Sequence, residues 1–233
     1  GVLLGDGHFA SEGSVDLATA DAEIIEAVQE TLPDGMTARH TQRYNWRLAA
    51  DSRATRNPLR RAITDLGLME CRAASKFIPP AYLFGSPEER FDMLCGLMDT
   101  DGSIDKEGRM SFCSASSELA KQVQFLVRSL GGFATFKTWP RAGHYHDTNA
   151  VYFRLDRAPF RLGRKKSRWH KPKQGMARGI RKITPLTVQP VQCIKVAAKD
   201  SLYVTDDLIL THNSWALPPQ KSLSAEGYFQ QRC

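Results

Sequence analysis

Asp6 and Asp101 stand in matching surroundings. The first closes Leu3-Leu4-Gly5-Asp6-Gly7, and the second closes Leu94-Cys95-Gly96-Leu97-Met98-Asp99-Thr100-Asp101-Gly102. Each is a short apolar stretch with small residues four apart, Gly1 and Gly5 in one and Gly96 and Thr100 in the other. That spacing lets two helical turns approach backbone to backbone, and the closing glycine suits the left-handed residue that ends many helices. The two acids are therefore expected side by side. Paired carboxylates at the negatively polarised ends of helices repel each other and hold a divalent metal. A calcium loop starting at Asp99 is excluded, because its sixth and twelfth positions need glycine and glutamate and the chain has Ile104 and Met110 there. An ordinary helix stopped by an Asp-Gly turn explains either copy alone, but not two copies in the same context.

The elements that must position these acids also recur. After Gly7 come alternating strands at 8–9 and 14–18, a helix over 21–31, strands around 36–39 and 44–49, and a helix near 57–66. After Gly102 the order repeats with strands at 103–104 and 109–114, a helix over 117–130, and strands around 132–139 and 150–155. Leu119, Val123, Leu126 and Leu130 keep the helical period, and Ser117 with Glu118 or Gln122 offers a polar start. The expected fold class is α+β, a pseudo-two-fold αββαββ repeat with copies at about 1–75 and 90–160.

Basic residues point to nucleic acid. Read as one strand, 39–47 would place Arg39, Thr41, Arg43, Asn45 and Arg47 on a single sheet face. Arginine and asparagine read guanine and adenine edges, and a twisted β-ribbon fits the major groove. A solvated sheet face is the plainer alternative. Lys137 and Arg154, with Thr135, Trp139, Arg141 and Tyr152, form a weaker counterpart in the second copy. The chain carries 32 Lys and Arg against 25 Asp and Glu, net +7. Ten of those bases and no acid fall within 161–182, among them Arg161, Arg164, Lys165, Lys166, Arg168 and Lys171. This stretch reads as a flexible linker or arm that contacts phosphates. No run approaches the roughly 18 apolar residues of a spanning helix, so no membrane partner is expected.

The two acidic stretches resemble the LAGLIDADG motif of homing endonucleases, the second in full and the first without its opening residues. Lys76-Phe77-Ile78-Pro79, then Glu89-Arg90, are similar to the linker block of intein-encoded members, and Ser114 to Ala120 to their later helix. The resemblance implies an endonuclease domain over 1–160 that cuts double-stranded DNA at a long, pseudo-symmetric target, acting as a monomer. It implies magnesium held by Asp6 and Asp101, with Gly5 and Thr100 beside it. Lys76 matches a lysine that positions or deprotonates the attacking water, and Lys165 or Lys166 is the candidate equivalent in the second copy. Arg39, Arg43, Asn45, Arg47, Lys137, Arg154, Arg164, Lys166 and Arg168 are the expected DNA contacts. A non-cleaving nucleic-acid-binding relative is the first alternative, and protein splicing as the only live activity is the second.

Beyond the basic stretch, strand-like runs at 191–196, 201–205 and 208–210 end in Thr211-His212-Asn213-Ser214. The string from Tyr203 to Ser214 resembles the C-terminal splicing blocks of an intein. Asn213 could cyclise onto its own carbonyl and break the bond to Ser214, with His212 protonating the leaving amine and the Ser214 hydroxyl accepting an acyl group. Cys193 and Thr211 match the class 3 inteins, in which that cysteine is a nucleophile; a buried structural cysteine is the other possibility. An intein opens with an N-terminal splicing half, and none of its blocks stands here. The chain is therefore expected to be a piece that needs that half as a partner, with 183–213 as the C-terminal splicing segment and 214–233 as flank of a host protein in cis. Cys71, Cys95, Cys113, Cys193 and Cys233 show no metal or disulfide spacing, which suits an intracellular, DNA-associated protein.

Overall fold

Each stretch that the sequence marks as amphipathic buries one face, and the same order of elements occurs twice. The computed structural model describes residues 1–9, 14–52, 57–69, 71–141, 146–172, 179–180, 182–188, 190 and 194–212. Two units divide the chain, Gly1–Arg178 and Gly179–Cys233.

In the first unit one copy runs α1 (Val2–Gly5), β1 (Gly7–Phe9), β2 (Val15–Ala18), α2 (Ala22–Thr31), β3 (Met36–Gln42), β4 (Asn45–Ala50) and α3 (Pro58–Asp65). A 3-10 turn at Ala73–Ser75 and α4 (Pro80–Leu83) lead into the second copy. That copy runs α5 (Pro87–Thr100), β5 (Gly102–Ile104), β6 (Met110–Ser114), α6 (Ser117–Ser129), β7 (Phe133–Trp139), β8 (Thr148–Arg154) and α7 (Gly163–Lys166). Each copy builds a four-stranded antiparallel sheet of the same topology, β1-β2-β4-β3 and β5-β6-β8-β7. The expected α+β repeat is present in this unit.

Helix α5 is the central element. Its start is fixed by a capping box, in which Ser86 accepts from the Glu89 N–H and Glu89 accepts from the Ser86 N–H, with Pro87 in the first turn. From Met93 to Asp99 every residue is buried, because the helix packs against α1, α4, α6 and β5. Helix α6 starts at Ser117, where the sequence places it. Its cap is Ser116, whose hydroxyl accepts from the Leu119 N–H and donates to the Lys76 carbonyl.

The closing glycines act differently from expectation. Gly7 and Gly102 are not left-handed; each begins a strand that leaves so close to its own helix that a side chain cannot fit. A Cβ on Gly7 would lie 2.9 Å from Leu3 Cα, and one on Gly102 would lie 2.5 Å from Met98 Cα.

The arginine-bearing segment 39–47 is also not one strand. It is a hairpin whose turn is Arg43-Tyr44, with Arg43 itself at φ 49°. Arg39 pairs directly with Arg47 across it, and the register shifts between His40 and Gln42. A single alternation therefore cannot run through all five positions.

The second unit, described over part of its length, contains one antiparallel hairpin, β9 (Leu202–Val204) and β10 (Leu210–His212). The last strand lies at 210–212 rather than 208–210, because Leu208 takes φ 56° in the connecting turn. Residues 191–193 lie outside the described residues, and 194–196 form no strand. Among the described residues no helix is long and apolar enough to cross a membrane.

The α1–α5 contact allows a direct test. A Cβ on Gly96 would stand 2.6 Å from Val2 N and 2.8 Å from Gly1 Cα. Gly96→Ala is therefore expected to destabilise the fold by about 1–3 kcal/mol, read as a lower denaturant midpoint. Gly179→Ala, with nothing within 4 Å, should leave the midpoint unchanged.

Candidate active site

Asp6 is the C-cap of α1 and Asp101 the C-cap of α5, and each N–H bonds back into its helix, to Leu3 and Val2 in one case and to Leu97 in the other. The close approach of the two helices brings the two carboxylates within electrostatic reach. Burial and the Asp101 charge push the Asp6 carboxyl up to about 6, against the pull of Lys76 and Lys165. Asp101 keeps an exposed rim, yet the protein around it still raises its carboxyl, with the same two lysines opposing the shift.

Both lysines cap the helix ends. Lys76 Nζ donates to the Gly5 carbonyl at 2.7 Å and the Gly7 carbonyl at 3.0 Å. Lys165 Nζ donates to Met98 at 2.8 Å, Asp99 at 2.7 Å, Thr100 at 3.2 Å and Gly102 at 2.6 Å. In the repeat Gly5 and Gly7 correspond to Thr100 and Gly102, so Lys76 and Lys165 hold equivalent places. Lys165 is buried and Lys166 is exposed, which separates the two candidates of the sequence. Burial lowers both ammonium groups, and the carboxylates oppose it. The Gly5 and Thr100 carbonyls are accordingly engaged by the lysines.

Each lysine is delivered by a strap bound to the opposite copy. On one side Ser116, the cap of α6, donates to the Lys76 carbonyl, and Gln122 accepts from the Ile78 N–H at 2.6 Å. On the other side Glu23 of α2 accepts from the Gly163 N–H at 2.8 Å, and Asp21, the cap of α2, takes both Nε and Nη2 of Arg164 at 2.9 and 2.7 Å. Buried Asp99 accepts from the Arg161 and Leu162 N–H groups at 3.1–3.2 Å, and Leu162 packs with Leu17, Ile24 and Ile25. The expected linker at 161–182 therefore begins as a docked segment, and Arg164 is used in holding it.

The remaining predicted residues are dispersed. On the outer face of the first sheet Arg47 Nε donates to Asp16 Oδ1 at 2.9 Å, and Arg39 lies 3.7 Å from Asp51. The face that looked free of acids in the linear sequence thus carries two. Asn45 lies beside Arg47 on β4, while Arg43 is at the hairpin tip. On the second sheet Lys137 sits over the Trp139 ring at 5.6 Å, and Arg154 is exposed at the end of β8. Lys166 and Arg168 are exposed. Thr211 and His212 lie on β10 in the second unit, whereas Cys193, Asn213 and Ser214 fall outside the described residues.

Two roles were missed in the sequence. Asp99 and Asp16 each interrupt an apolar pattern, the first inside a buried helix and the second between buried Val15 and Leu17; that placement was the available signal. Among the described residues no third Asp, Glu, His or Cys joins Asp6 and Asp101 as a ready metal cluster. Two carboxylates, completed by water and phosphate oxygens, are a set that suits magnesium or a similar hard cation.

With this geometry in view, comparison with known proteins gives a partial placement. Residues 88–164 match the LAGLIDADG-like domain. The chain is also 28% identical over 225 residues to the replicative DNA helicase DnaB of Mycobacterium intracellulare, covering 92% of this chain and 34% of that protein. It is 32% identical over 160 residues to the DnaB helicase of Nostoc sp., covering 61% of this chain and 18% of that protein. The chain thus spans about a third or less of the curated relatives it matches. Among solved structures, mesophilic variants of the homing endonuclease I-DmoI align at TM-score 0.46 and 12% identity, over 66% of this chain and 84% of theirs. I-DmoI in complex with DNA and Mn aligns at TM-score 0.44 and 12% identity, over 66% of this chain and 85% of its own.

The raised Asp6 carboxyl sets a pH window. A proton on Asp6 competes with a cation, so manganese affinity is expected to rise about tenfold per pH unit below 6 and to level off above it; titration followed by electron paramagnetic resonance reads this. Without metal the sign reverses. The folded state holds a proton that the unfolded chain releases near 3.8, so the stability contributed by Asp6 is lost as pH rises through about 6, measurable as melting temperature in chelator.

Proposed function

We propose that the first unit is a LAGLIDADG homing endonuclease carried by an intein, which hydrolyses one phosphodiester on each strand of a long, pseudo-symmetric DNA site. The observation that carries this is the meeting of Asp6 and Asp101 at adjoining helix ends, each backed by a lysine in an equivalent place. Asp6 and Asp101 hold a divalent cation, magnesium by preference. When bound, that cation supplies Lewis acidity at the scissile phosphate. Lys76 and Lys165 fix the helix ends and keep positive charge near the two acids. Lys76, with one N–H left after its two carbonyl bonds, additionally orients the attacking water in one half of the site, whereas buried Lys165 spends its three N–H groups on backbone carbonyls. The outer faces of the two sheets lie along the DNA, with Asn45, Arg47, Lys137 and Arg154 toward base edges. Arg39, Arg43, Lys166 and Arg168 contact phosphates.

The second unit contributes the C-terminal splicing segment. Thr211-His212-Asn213-Ser214 carries the residues that cyclisation and release need, and Cys193 is the candidate nucleophile of a class 3 mechanism. Similarity to two replicative helicases, of which this chain matches only part, supports a helicase as the host in which the element is inserted. The upstream splicing half completes it, inside the cell that holds both host and target.

Cleavage of plasmid bearing the uninterrupted host gene, beside binding to the same DNA, tests the nuclease. Asp101→Asn is expected to slow double-strand cleavage by about a thousandfold, the several kcal/mol a Lewis acid supplies, with binding little changed. Normal cutting by that variant refutes the site, and binding without cutting by the unaltered chain makes the protein a non-cleaving relative.

For splicing, the chain supplied with an upstream half is expected to release a tail beginning at Ser214, and Asn213→Ala to stop that release, as read by mass spectrometry. Cys193→Ala should block upstream cleavage under the class 3 mechanism. Unchanged upstream cleavage would return Cys193 to a structural role.

A further inference from the structure

The three arginines of the first sheet differ in how they are held. Arg47 lies in mid-strand on β4, and its Nε donates to Asp16 Oδ1 at 2.9 Å. Asp16 is itself fixed, because Ser14 Oγ donates to its other oxygen at 2.8 Å and β2 pairs Asp16 directly with Arg47. The pair lines a concave patch of about 560 Å³ with His8, Ala18, Thr41, Gln42 and Asn45. Arg39 is held loosely, 3.7 Å from Asp51, and Arg43 sits on the hairpin turn.

An arginine anchored through Nε leaves its two terminal nitrogens, held side by side by the planar guanidinium, outside that ion pair. That edge matches the O6 and N7 acceptors of guanine in the major groove. An acid on a DNA-facing surface otherwise weakens binding by repelling phosphates, so its presence at the root of the concave patch calls for a positive role.

Resting on the proposed DNA-binding function, we infer that Asp16 is a specificity-determining residue: it buttresses Arg47 so that this arginine, and neither Arg39 nor Arg43, reads one guanine of the target. The carboxylate lowers affinity for DNA at large and raises discrimination at one base pair.

Selection from a randomised duplex library with the full chain tests this. The unaltered protein should fix a guanine at one position, preferred over other bases by about 10–100-fold. Asp16→Ala should reduce that preference to below about threefold at that position alone, while binding to unselected duplex tightens. Asp16→Asn, whose amide oxygen still accepts from Nε, should restore part of the preference. Arg47→Ala should relax the same position, whereas Arg43→Ala should weaken all sequences alike. A site selected by the unaltered chain but left intact in the Asp16→Ala pool overturns the inference, as does relaxation at a position other than that lost with Arg47→Ala. Failure of the unaltered chain to select any sequence instead refutes the DNA-reading function on which it rests.

Discussion

Where α1 meets α5, glycine faces glycine. With Gly1 and Gly96 in contact and Gly5 against the Thr100 side chain, the two helix axes come nearer than side chains at Gly1, Gly5 and Gly96 would allow. Their C-terminal ends, each carrying partial negative charge from carbonyls without a partner inside the helix, are thereby forced together with a carboxyl group on each. Such a concentration of like charge is costly in a partly buried place. Burial first, and the Asp101 charge second, raise the Asp6 carboxyl to about 6. The sheets, the helices that cover them and the straps serve to hold the helix ends in this contact.

The two lysines offset part of that charge. Each ammonium bridges carbonyls on both sides of the helix-to-strand corner, so it satisfies the orphan acceptors and places positive charge near the acids. The straps cross between copies, so neither copy's site is complete without the other. The two sides are not identical. Asp99 secures the Lys165 strap, whereas the corresponding residue of the first copy is Leu4, which is buried in the core. The Lys76 strap instead relies on Ser116 and Gln122 of α6.

Much of this was legible in the sequence. Period and spacing disclosed the duplicated element order and the two acids, because small residues four apart and a terminal Asp-Gly reflect local sterics. What escaped was set by contacts distant along the chain. Segment 161–166 looked like a linker because its bases and glycine are polar in composition, but Asp99, Asp21 and Glu23 lie about 60 to 140 residues away and give that backbone its partners. The 39–47 stretch looked like one strand because its alternation is regular; the tight turn at Arg43-Tyr44 carries no glycine to announce it. Asp16 was invisible as a partner of Arg47 until the sheet set the register between β2 and β4. The closing glycines were located correctly, but for a conformational reason that proved to be a steric one.

The central claim is that Asp6 and Asp101 form one shared metal site made by the contact of α1 with α5. An anomalous difference map from crystals of this chain grown with manganese tests it most directly. The account predicts a peak bounded by both carboxylates, absent from crystals of the Asp6→Asn, Asp101→Asn double variant. A peak held by one of the two alone, or manganese bound only elsewhere in the first unit, would contradict it.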